Sequence, residues 1–312
     1  MPEFAFVFPG QGSQSVGMLD AWGGHPAVKR TLEEASAALD EDLTHLIHAG
    51  PKEALDLTSN TQPVMLSAAI ACLAAWRAEG GAEPAAVAGH SLGEYSALVA
   101  AGALTLADAL PLVRFRARAM QDAVPVGAGA MAAILGLGAE TVRAGCAAAA
   151  AESGEPVAPA NFNDPKQTVI AGSKAGVDLA CEKLKALGAK RTLLLAVSAP
   201  FHSSLMKPAA EALREKLASV KLQTPKIPVV NNIDVAVQTE PDAIRDALYR
   251  QAFGPVRWVE VTQALKARGL SYIFECGPGK VLSGLVKRVD AEIVSTSVLD
   301  PASLKAAQEM LA

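Results

Sequence analysis

A serine flanked by glycines, in Gly89-His90-Ser91-Leu92-Gly93, is the feature that most constrains the fold of this chain. It follows the short apolar run Ala85-Ala86-Val87-Ala88, and the residues after it, as far as Ala101, contain no proline. Glycines two positions before and after a serine permit a sharp turn from a strand into a helix, because a side chain there would collide with neighbouring backbone. The pattern therefore predicts a nucleophile elbow, with Ser91 at a helix N-terminus where free N–H groups can stabilise an oxyanion.

The composition is that of a globular protein with a large core. The chain has 312 residues, of which 51% are hydrophobic and 19% charged, so it is too apolar to be disordered. The net charge of −4 argues against general nucleic-acid binding. We expect no membrane-spanning segment, because no uninterrupted apolar run of about 18 residues occurs. The N-terminal residues predict a buried strand rather than a signal peptide, and we expect a cytoplasmic protein.

The cysteine pattern bears on metals and redox chemistry. The cysteines are widely separated and form no CxxC pair. This spacing argues against a disulfide framework or a structural zinc site and favours buried free thiols, so we predict no metal site. The residues concerned are Cys72, Cys146, Cys181 and Cys276.

Strand and helix patterns predict an α/β fold in two parts. Between residues 129 and 197 the predicted elements follow the order βαββαβ, which is that of a ferredoxin-like unit able to close on itself. We therefore predict a ferredoxin-like small domain at residues 128–197, inserted into a catalytic domain formed by residues 1–127 and 198–312. The elbow makes this larger domain α/β-hydrolase-like, with a parallel sheet.

The individual elements are predicted from apolar runs, caps and turn residues. A helix at 106–122 begins after Thr105, and Pro111 is expected to kink it or to shift its start. The other predicted helices are at 26–39, 62–79, 92–101, 140–152, 175–187, 202–220, 242–252 and 281–288. The predicted strands are at 4–8, 85–88, 131–135, 157–162, 167–171, 191–197, 227–231 and 272–275.

A serine hydroxyl needs a base, and histidine is the usual one. His202 is the strongest candidate, because it lies where the small domain returns the chain to the larger one, and clefts at such junctions often hold active sites. The alternative is a histidine at a helix start, bonded only to backbone. The side chain of His90 is expected to diverge from Ser91. The remaining histidines lie on polar helices and are expected at the surface: His25, His45 and His48.

No acid is singled out as a third member of a triad. Asp234 and Glu275 are possible partners but carry no motif, and a backbone carbonyl could hold the imidazole instead, which would give a dyad. The turn Gly10-Gln11-Gly12-Ser13-Gln14 ends the first strand and could bring a backbone N–H close to the serine. Taken alone, the segment is better explained as an ordinary glycine-rich turn.

Arg116 is the second informative residue. Residues three or four apart share a helix face, so Arg116 lies on an apolar stripe, whereas Arg114 and Arg118 are expected to point away. A buried guanidinium is costly unless it meets an anion, and its planar fork suits a carboxylate. An internal ion pair and a clamp for a substrate carboxylate both remain open. The neighbours on the stripe are Leu112, Val113 and Met120.

Taken together, the motifs of the chain closely resemble those of the bacterial malonyl-CoA:acyl carrier protein transacylases of fatty-acid synthesis. They occur in the family's order along essentially the whole chain. The matching segments are Phe8-Pro9-Gly10-Gln11-Gly12-Ser13-Gln14, Gly89-His90-Ser91-Leu92-Gly93-Glu94-Tyr95, Arg116 with Met120-Gln121, Asn161-Phe162-Asn163, Ser198-Ala199-Pro200-Phe201-His202 with Leu205-Met206-Lys207-Pro208, Val230-Asn231-Asn232, and Gln251 with Pro255-Val256.

The resemblance implies roles for the residues of the reaction centre. Ser91 is implied to be the nucleophile and His202 the general base. The backbone N–H groups of Gln11 and Leu92 are implied to form the oxyanion hole. The main-chain carbonyl of Gln251 is implied to orient His202 in place of a triad acid.

The resemblance also implies the substrates. Malonyl-CoA is expected to acylate the serine, and the phosphopantetheine thiol of the holo acyl carrier protein to accept the malonyl group, without a cofactor. Arg116 is implied to bind the malonyl carboxylate, Asn161 to contact substrate, and Phe201 to resemble malonyl-selective members. We expect a monomer that binds neither nucleic acid nor membrane. Because carrier proteins are acidic, candidate docking residues are Lys190, Arg191, Lys207, Lys280, Lys287 and Arg288.

Other functions remain open from the sequence. The same serine and histidine could serve a thioesterase or esterase that uses water as the acceptor, or an acyltransferase of a polyketide pathway. A third possibility is a non-catalytic interaction module that retains the fold.

Overall fold

A computed structural model describes residues 2–312, which form two β-sheets enclosed by helices. Within this range, no helix combines the length and the apolar character needed to cross a bilayer. The strands are β1 (Phe4–Phe8), β2 (Ala86–Gly89), β3 (Gly129–Leu135), β4 (Val157–Asp164), β5 (Gln167–Ser173), β6 (Arg191–Leu194), β7 (Val229–Val230), β8 (Tyr272–Cys276) and β9 (Ser297–Val298).

Helices cover both faces of the first sheet and one face of the second. They are α1 (Pro26–Leu39), α2 (Leu43–Ala49), α3 (Lys52–Asp56), α4 (Thr58–Ala78), α5 (Gly93–Ala100), α6 (Leu106–Asp122), α7 (Ala139–Ser153), α8 (Lys174–Ala186), α9 (Lys207–Ala218), α10 (Pro241–Gln251), α11 (Trp258–Ala267), α12 (Val281–Val289) and α13 (Pro301–Leu311).

The first sheet is parallel, with strand order β7-β2-β1-β8-β9. Every residue of β1 is buried, and the ring of Phe6 packs edge-on against Trp76 of α4 at a centroid distance of 5.2 Å. Each phenylalanine buried in this way contributes roughly 2–3 kcal/mol of hydrophobic stabilisation. The central position of β1 brings its C-terminal end next to that of β2, where the elbow begins, and this is the edge at which parallel sheets carry their sites.

The second sheet is antiparallel and separate from the first, with strand order β4-β5-β3-β6. Helices α7 and α8 pack on one face of it, so the elements from β3 to β6 follow the order strand, helix, strand, strand, helix, strand. The mixed α/β architecture with one parallel and one antiparallel sheet is therefore confirmed.

Main-chain hydrogen bonds tie the second sheet to the first part of the molecule. The N–H of Val256 donates to the carbonyl of Ala160 at 2.8 Å, and the N–H of Phe162 donates to the carbonyl of Val256 at 2.9 Å. Residues of β4 are thus bonded to the segment that connects α10 to α11. This contact closes one side of the cleft described below.

Several predicted elements differ in extent from those observed. Strand β6 ends at Leu194 instead of residue 197, because its partner β3 pairs with it only as far as Ala132 and the chain then leaves the sheet. Strand β7 is only two residues long, since only Val87 and Ala88 of β2 pair with it. The helix predicted at 202–220 begins at 207, after a short 3-10 turn. Helices α3, α11 and α13 and strand β9 were not predicted, and the polar helix expected around His45 and His48 was given no bounds.

Pro111 does not shift the start of its helix. Helix α6 runs without interruption from Leu106 to Asp122, and the Thr105 hydroxyl caps it by accepting the N–H of Asp108 at 3.1 Å. The proline lies in the second turn, where its missing N–H removes the hydrogen bond to the carbonyl of Ala107 but leaves the helix continuous.

Candidate active site

Ser91 lies in a sharp turn between β2 and α5, as the glycine spacing predicts. Its φ is +53°, a left-handed conformation that is uncommon for a residue with a side chain. A Cβ on Gly89 would lie 1.9 Å from the carbonyl carbon of Gly93, and a Cβ on Gly93 would lie 2.0 Å from the carbonyl oxygen of Phe8. Both glycines are therefore required by close backbone approach.

His202 meets Ser91 across 111 positions of sequence. The Oγ of Ser91 lies 2.7 Å from Nε2 of His202, and the other ring nitrogen, Nδ1, lies 2.9 Å from the carbonyl oxygen of Gln251 and 3.1 Å from that of Gly254. Because carbonyls only accept, Nδ1 carries the proton and Nε2 presents its lone pair to the serine hydroxyl. The pair is a dyad held by main-chain carbonyls.

The two acids considered as triad partners lie elsewhere. Asp234 forms a two-pronged ion pair with Arg250, at 2.6 and 2.8 Å. Glu275 is fully buried under the N-terminus of α12, where it accepts the N–H of Ser283 at 2.8 Å. Neither carboxylate bonds His202.

The other histidines are not directed at the serine. Nε2 of His90 bonds Oδ1 of Asn163 in β4 at 2.9 Å, and burial lowers the pKa of His90. His25 caps α1 and pairs with Glu79. His45 is exposed and His48 is half-buried, both on α2.

Arg116 is buried at the base of the elbow, with 2% of its surface exposed. Its Nη1 donates to Oε1 of Gln62 at 2.8 Å, and Nη2 lies 3.2 Å from both Oγ of Ser91 and Oε1 of Gln251. Within residues 2–312 no carboxylate forms an ion pair with this guanidinium, and its Nε has no hydrogen-bond partner. Arg116 therefore forms no direct ion pair within the described chain, and the nearby carboxylate of Glu94 acts on it only at longer range.

The prediction that Arg114 points away from the core was wrong. It is 7% exposed, forms an ion pair with Glu41 and donates to Oδ1 of Asn60 at 3.1 Å. Helices α1 and α4 both flank α6, so two faces of this helix are covered instead of one. Arg118 is exposed, as predicted.

The environment keeps His202 neutral. Burial and the positive charge of Arg116 lower the pKa of His202 to about 3, against smaller opposing effects of the two carbonyls. An imidazole in a dry site beside a cation resists protonation, because the charged form would lose hydration and be repelled. The ring is thus available to accept a proton at neutral pH.

Two free backbone N–H groups border the serine. The N–H of Ser91 itself is occupied, since it donates to Oδ1 of Asn232 at 2.7 Å. The N–H groups of Gln11 and Leu92 have no acceptor among the residues that the structure describes. The Gln11 loop packs directly on the elbow, because a Cβ on Gly10 would lie 2.6 Å from the carbonyl oxygen of His90. Both groups are therefore free for an oxyanion.

A cleft of about 670 Å³ opens onto the serine between the two sheets. Seven of the eight residues proposed for the site line it, while Gln251 is fully buried behind it. Asn161, on β4, is 7% exposed, and Phe201 is half-buried. The seven are Gln11, Ser91, Leu92, Arg116, Asn161, Phe201 and His202.

Three polar residues at the site were not singled out by the sequence. Gln62 accepts a hydrogen bond from Arg116. Behind the elbow, Asn232 accepts one from the backbone N–H of Ser91, and Glu94 accepts one from the side chain of Gln251. Burial raises the pKa of Glu94 to about 7. Glu94 and Asn232 belong to the matching motifs, but their spacing carries no signal for a role, because their contacts span about 140 positions.

A serine at a strand–helix turn, bonded to a neutral histidine and bordered by free N–H groups, is the arrangement of enzymes that form an acyl-serine ester. The sequence profile described as acyl transferase domain matches residues 5–291. The malonyl CoA-acyl carrier protein transacylase of Escherichia coli (strain K12) is 50% identical over 311 residues, covering 99% of this chain and 100% of the relative. The chain belongs to the acyl transferase family.

Solved structures agree in fold. The acyl-carrier-protein S-malonyltransferase from Burkholderia pseudomallei 1710b is 63% identical, with a TM-score of 0.97 over 98% of this chain and 99% of that one. A malonyl-transacylase in complex with a type II PKS acyl-carrier protein is 47% identical, with a TM-score of 0.96 over 99% of both chains. The resemblance inferred from the motifs is confirmed.

Proposed function

We propose that this protein transfers the malonyl group of malonyl-CoA to the phosphopantetheine thiol of a holo acyl carrier protein, and so supplies fatty-acid elongation. The observation that carries the proposal is the buried Arg116 guanidinium, which lies 3.2 Å from the serine hydroxyl and has no carboxylate partner in the described chain. A buried cation beside a nucleophile suits an acyl group that carries its own carboxylate.

In the first half-reaction Ser91 attacks the thioester carbonyl of malonyl-CoA. Nε2 of His202 takes the hydroxyl proton, which the 2.7 Å contact allows. The N–H groups of Gln11 and Leu92 stabilise the tetrahedral oxyanion, and one such donor contributes about 3–4 kcal/mol. The C–S bond then breaks, the proton passes from His202 to the CoA sulfur, and a malonyl ester remains on Ser91.

In the second half-reaction the carrier's thiol replaces CoA in the same cleft. His202 takes the thiol proton, the thiolate attacks the ester, and the proton returns to the Ser91 oxygen when the C–O bond breaks. This ping-pong order requires that one cleft accept both pantetheine arms in turn. The chemistry is proton transfer and acyl exchange, so we propose no cofactor; malonyl-CoA is a substrate.

Selectivity is assigned to three residues that line the cleft. Arg116 holds the free malonyl carboxylate, which positions the ester and disfavours monoacid acyl groups, because an unpaired buried cation penalises them. Asn161 contacts the substrate from β4. Phe201 narrows the space beside the acyl group, in keeping with malonyl-selective members. Gln251 orients His202 through its main-chain carbonyl.

The finer architecture is also part of the proposal. We assign residues 1–127 and 198–312 to an α/β-hydrolase-like domain and residues 128–197 to a ferredoxin-like domain, which the order of elements and strands supports. We propose a cytoplasmic monomer that binds neither nucleic acid nor membrane. Carrier docking is proposed to use exposed cations, Lys190 and Arg191 among them.

The test is to mix the protein with malonyl-CoA and detect the acyl-enzyme by mass spectrometry, with and without holo carrier protein. Intact protein should gain one malonyl group and pass it to the carrier, and Ser91→Ala should gain none. Release of free malonate without malonyl-carrier would instead favour a thioesterase. Stoichiometric labelling of Ser91→Ala would remove Ser91 as the nucleophile. Comparing fatty-acid and type II polyketide carriers as acceptors would decide the pathway.

A further inference from the structure

A single carboxylate oxygen joins the residues behind the elbow. Glu94, on the first turn of α5, is 2% exposed. Its Oε2 accepts the backbone N–H of Asn232 at 2.9 Å and the side-chain Nε2 of Gln251 at 2.8 Å. These donors come from the segment after β7 and from the end of α10, so Glu94 ties two distant parts of the chain to the elbow helix.

Asn232 fixes the backbone of the nucleophile. It is fully buried, its Oδ1 accepts the N–H of Ser91 at 2.7 Å, and its Nδ2 donates to the carbonyl of Gly89 at 2.7 Å. The two bonds hold the chain on either side of His90 and oppose relaxation of the strained, left-handed backbone of Ser91. The position of the serine hydroxyl therefore depends on the placement of Asn232.

Gln251 connects the serine, the base and the cation. Its main-chain carbonyl accepts a hydrogen bond from Nδ1 of His202. In its side chain, Nε2 also donates to the carbonyl of Ser91 at 3.1 Å, and Oε1 accepts a hydrogen bond from Nη2 of Arg116 at 3.2 Å. A carboxylate only accepts and a guanidinium only donates, so the amide of Gln251 has one permitted orientation between Glu94 and Arg116. Glu94 holds that orientation together with Arg116 and the carbonyl of Ser91.

We propose that Glu94 is a positioning residue for the acyl transfer. It fixes the nucleophile through Asn232 and the base through Gln251, and so takes over the orienting role of a triad carboxylate without touching His202. The inference rests on the proposed function, which assigns Ser91 and His202 as nucleophile and base. The proposed role depends on the reach of the acceptor oxygen, which is the distance that it extends from the backbone, and not on the charge of the side chain.

Two substitutions separate reach from charge. Glu94→Asp keeps the charge but withdraws the carboxylate by one C–C bond, about 1.5 Å. Glu94→Gln keeps an acceptor oxygen at the same reach but removes the charge. Two rates are measured: acylation of Ser91 by malonyl-CoA in a single turnover, and labelling of Ser91 by a small fluorophosphonate, which needs no contact with Arg116.

In Glu94→Asp both rates should fall about 10- to 100-fold, the effect of leaving the buried N–H donors of Asn232 and Gln251 without their acceptor. The KM for malonyl-CoA should change little, because Arg116 keeps its bond to Gln62. In Glu94→Gln both rates should stay within about threefold of the unsubstituted protein. A loss in Glu94→Gln as large as in Glu94→Asp, or no loss in either variant, would overturn the proposal.

Glu275→Asp is the matched control. Glu275 is also a fully buried carboxylate that accepts a backbone N–H, but it lies under α12, away from the cleft. The Glu275→Asp substitution should lower the free energy of unfolding without slowing fluorophosphonate labelling. Slowing equal to that in Glu94→Asp would mean that Glu94 has only a general structural role.

If Glu94→Asp does not fold, Gln251→Met tests the same link, since this variant keeps the main-chain carbonyl that bonds His202. Unchanged labelling in Gln251→Met would contradict the proposal.

Failure of the proposed function is distinguishable from failure of this inference. If the unsubstituted protein reacts with the fluorophosphonate at Ser91 but forms no malonyl ester, the acyl donor is wrong and the positioning role of Glu94 still stands. If Ser91 is not labelled in the unsubstituted protein, the assignment of the dyad fails first.

Discussion

At the scale of single residues, Arg114 and Arg116 are two buried cations on one helix with opposite surroundings. Arg114 has a carboxylate partner in Glu41, whereas Arg116 contacts only neutral oxygens and leaves its Nε without a partner. Helical spacing predicted the burial of Arg116 because its neighbours lie on the same helix. It could not predict the partner of Arg114, which comes from the turn after α1.

We expect Arg116→Ala to lower kcat/KM for malonyl transfer by at least about 100-fold and for acetyl transfer by less than about tenfold. The loss is selective because only the malonyl group has a carboxylate to pair. Arg114→Ala is the matched control: it should lower the free energy of unfolding and leave the ratio of malonyl to acetyl transfer unchanged. Equal losses of both activities in Arg116→Ala would mean that this arginine is structural.

The pKa of His202 gives a second prediction. Since that pKa is lowered to about 3, the ring stays neutral as the pH falls, and protonation of His202 should not slow acylation between pH 8 and pH 5. The imidazole resonances of His202, followed by NMR in the absence of substrate, should show no titration in this range. A midpoint near 6.5, the ordinary value for histidine, would show that burial and Arg116 do not suppress its protonation.

At the scale of elements, the elbow shows what a local pattern can specify. The spacing of Gly89 and Gly93 predicted the turn because the colliding atoms lie within the same strand, turn and helix or on the adjacent strand. The lengths of β6 and β7 were overestimated, since those strands extend only as far as a neighbouring strand pairs with them. Helix α11 was missed although its buried residues, Trp258, Val261, Thr262 and Leu265, have the spacing of one helical face.

We expect Gly93→Ala to disrupt the elbow. Its Cβ would lie 2.0 Å from the carbonyl oxygen of Phe8, so the strand and helix must separate, at a cost of about 3 kcal/mol or more. Fluorophosphonate labelling of Ser91 should be lost even where the protein stays folded. Gly284→Ala in α12 is the control, because its Cβ meets no atom closer than 3.5 Å and alanine should stabilise the helix by up to about 1 kcal/mol. Normal labelling in Gly93→Ala would contradict the close approach.

At the scale of the whole molecule, the cleft exists because two sheets are held against each other. Besides the main-chain bonds at Val256, the side chains of His90 and Asn163 bond across the gap, and Nε of Arg288 on α12 lies 2.7 Å from Oδ2 of Asp164 on β4. The sequence predicted two parts and a cleft between them, because each part has its own pattern of elements. It could not predict these contacts, whose partners lie 73 to 124 positions apart.

The pair between Arg288 and Asp164 also bears on carrier docking. Arg288 was a candidate for receiving an acidic partner, but its Nε is engaged by a carboxylate that is 8% exposed. We expect Arg288→Ala to lower the free energy of unfolding by about 1 kcal/mol, a modest value because the arginine is half-exposed to solvent. Urea unfolding measures this loss, and hydrogen exchange should show it at β4. Lys287→Ala, at the adjacent exposed cation, should leave stability unchanged.

Because Ser91 and His202 both lie outside the small sheet, the rate of acylation should be unaffected in either variant. Slower acylation in Arg288→Ala would mean that the contact between the sheets helps to align the dyad.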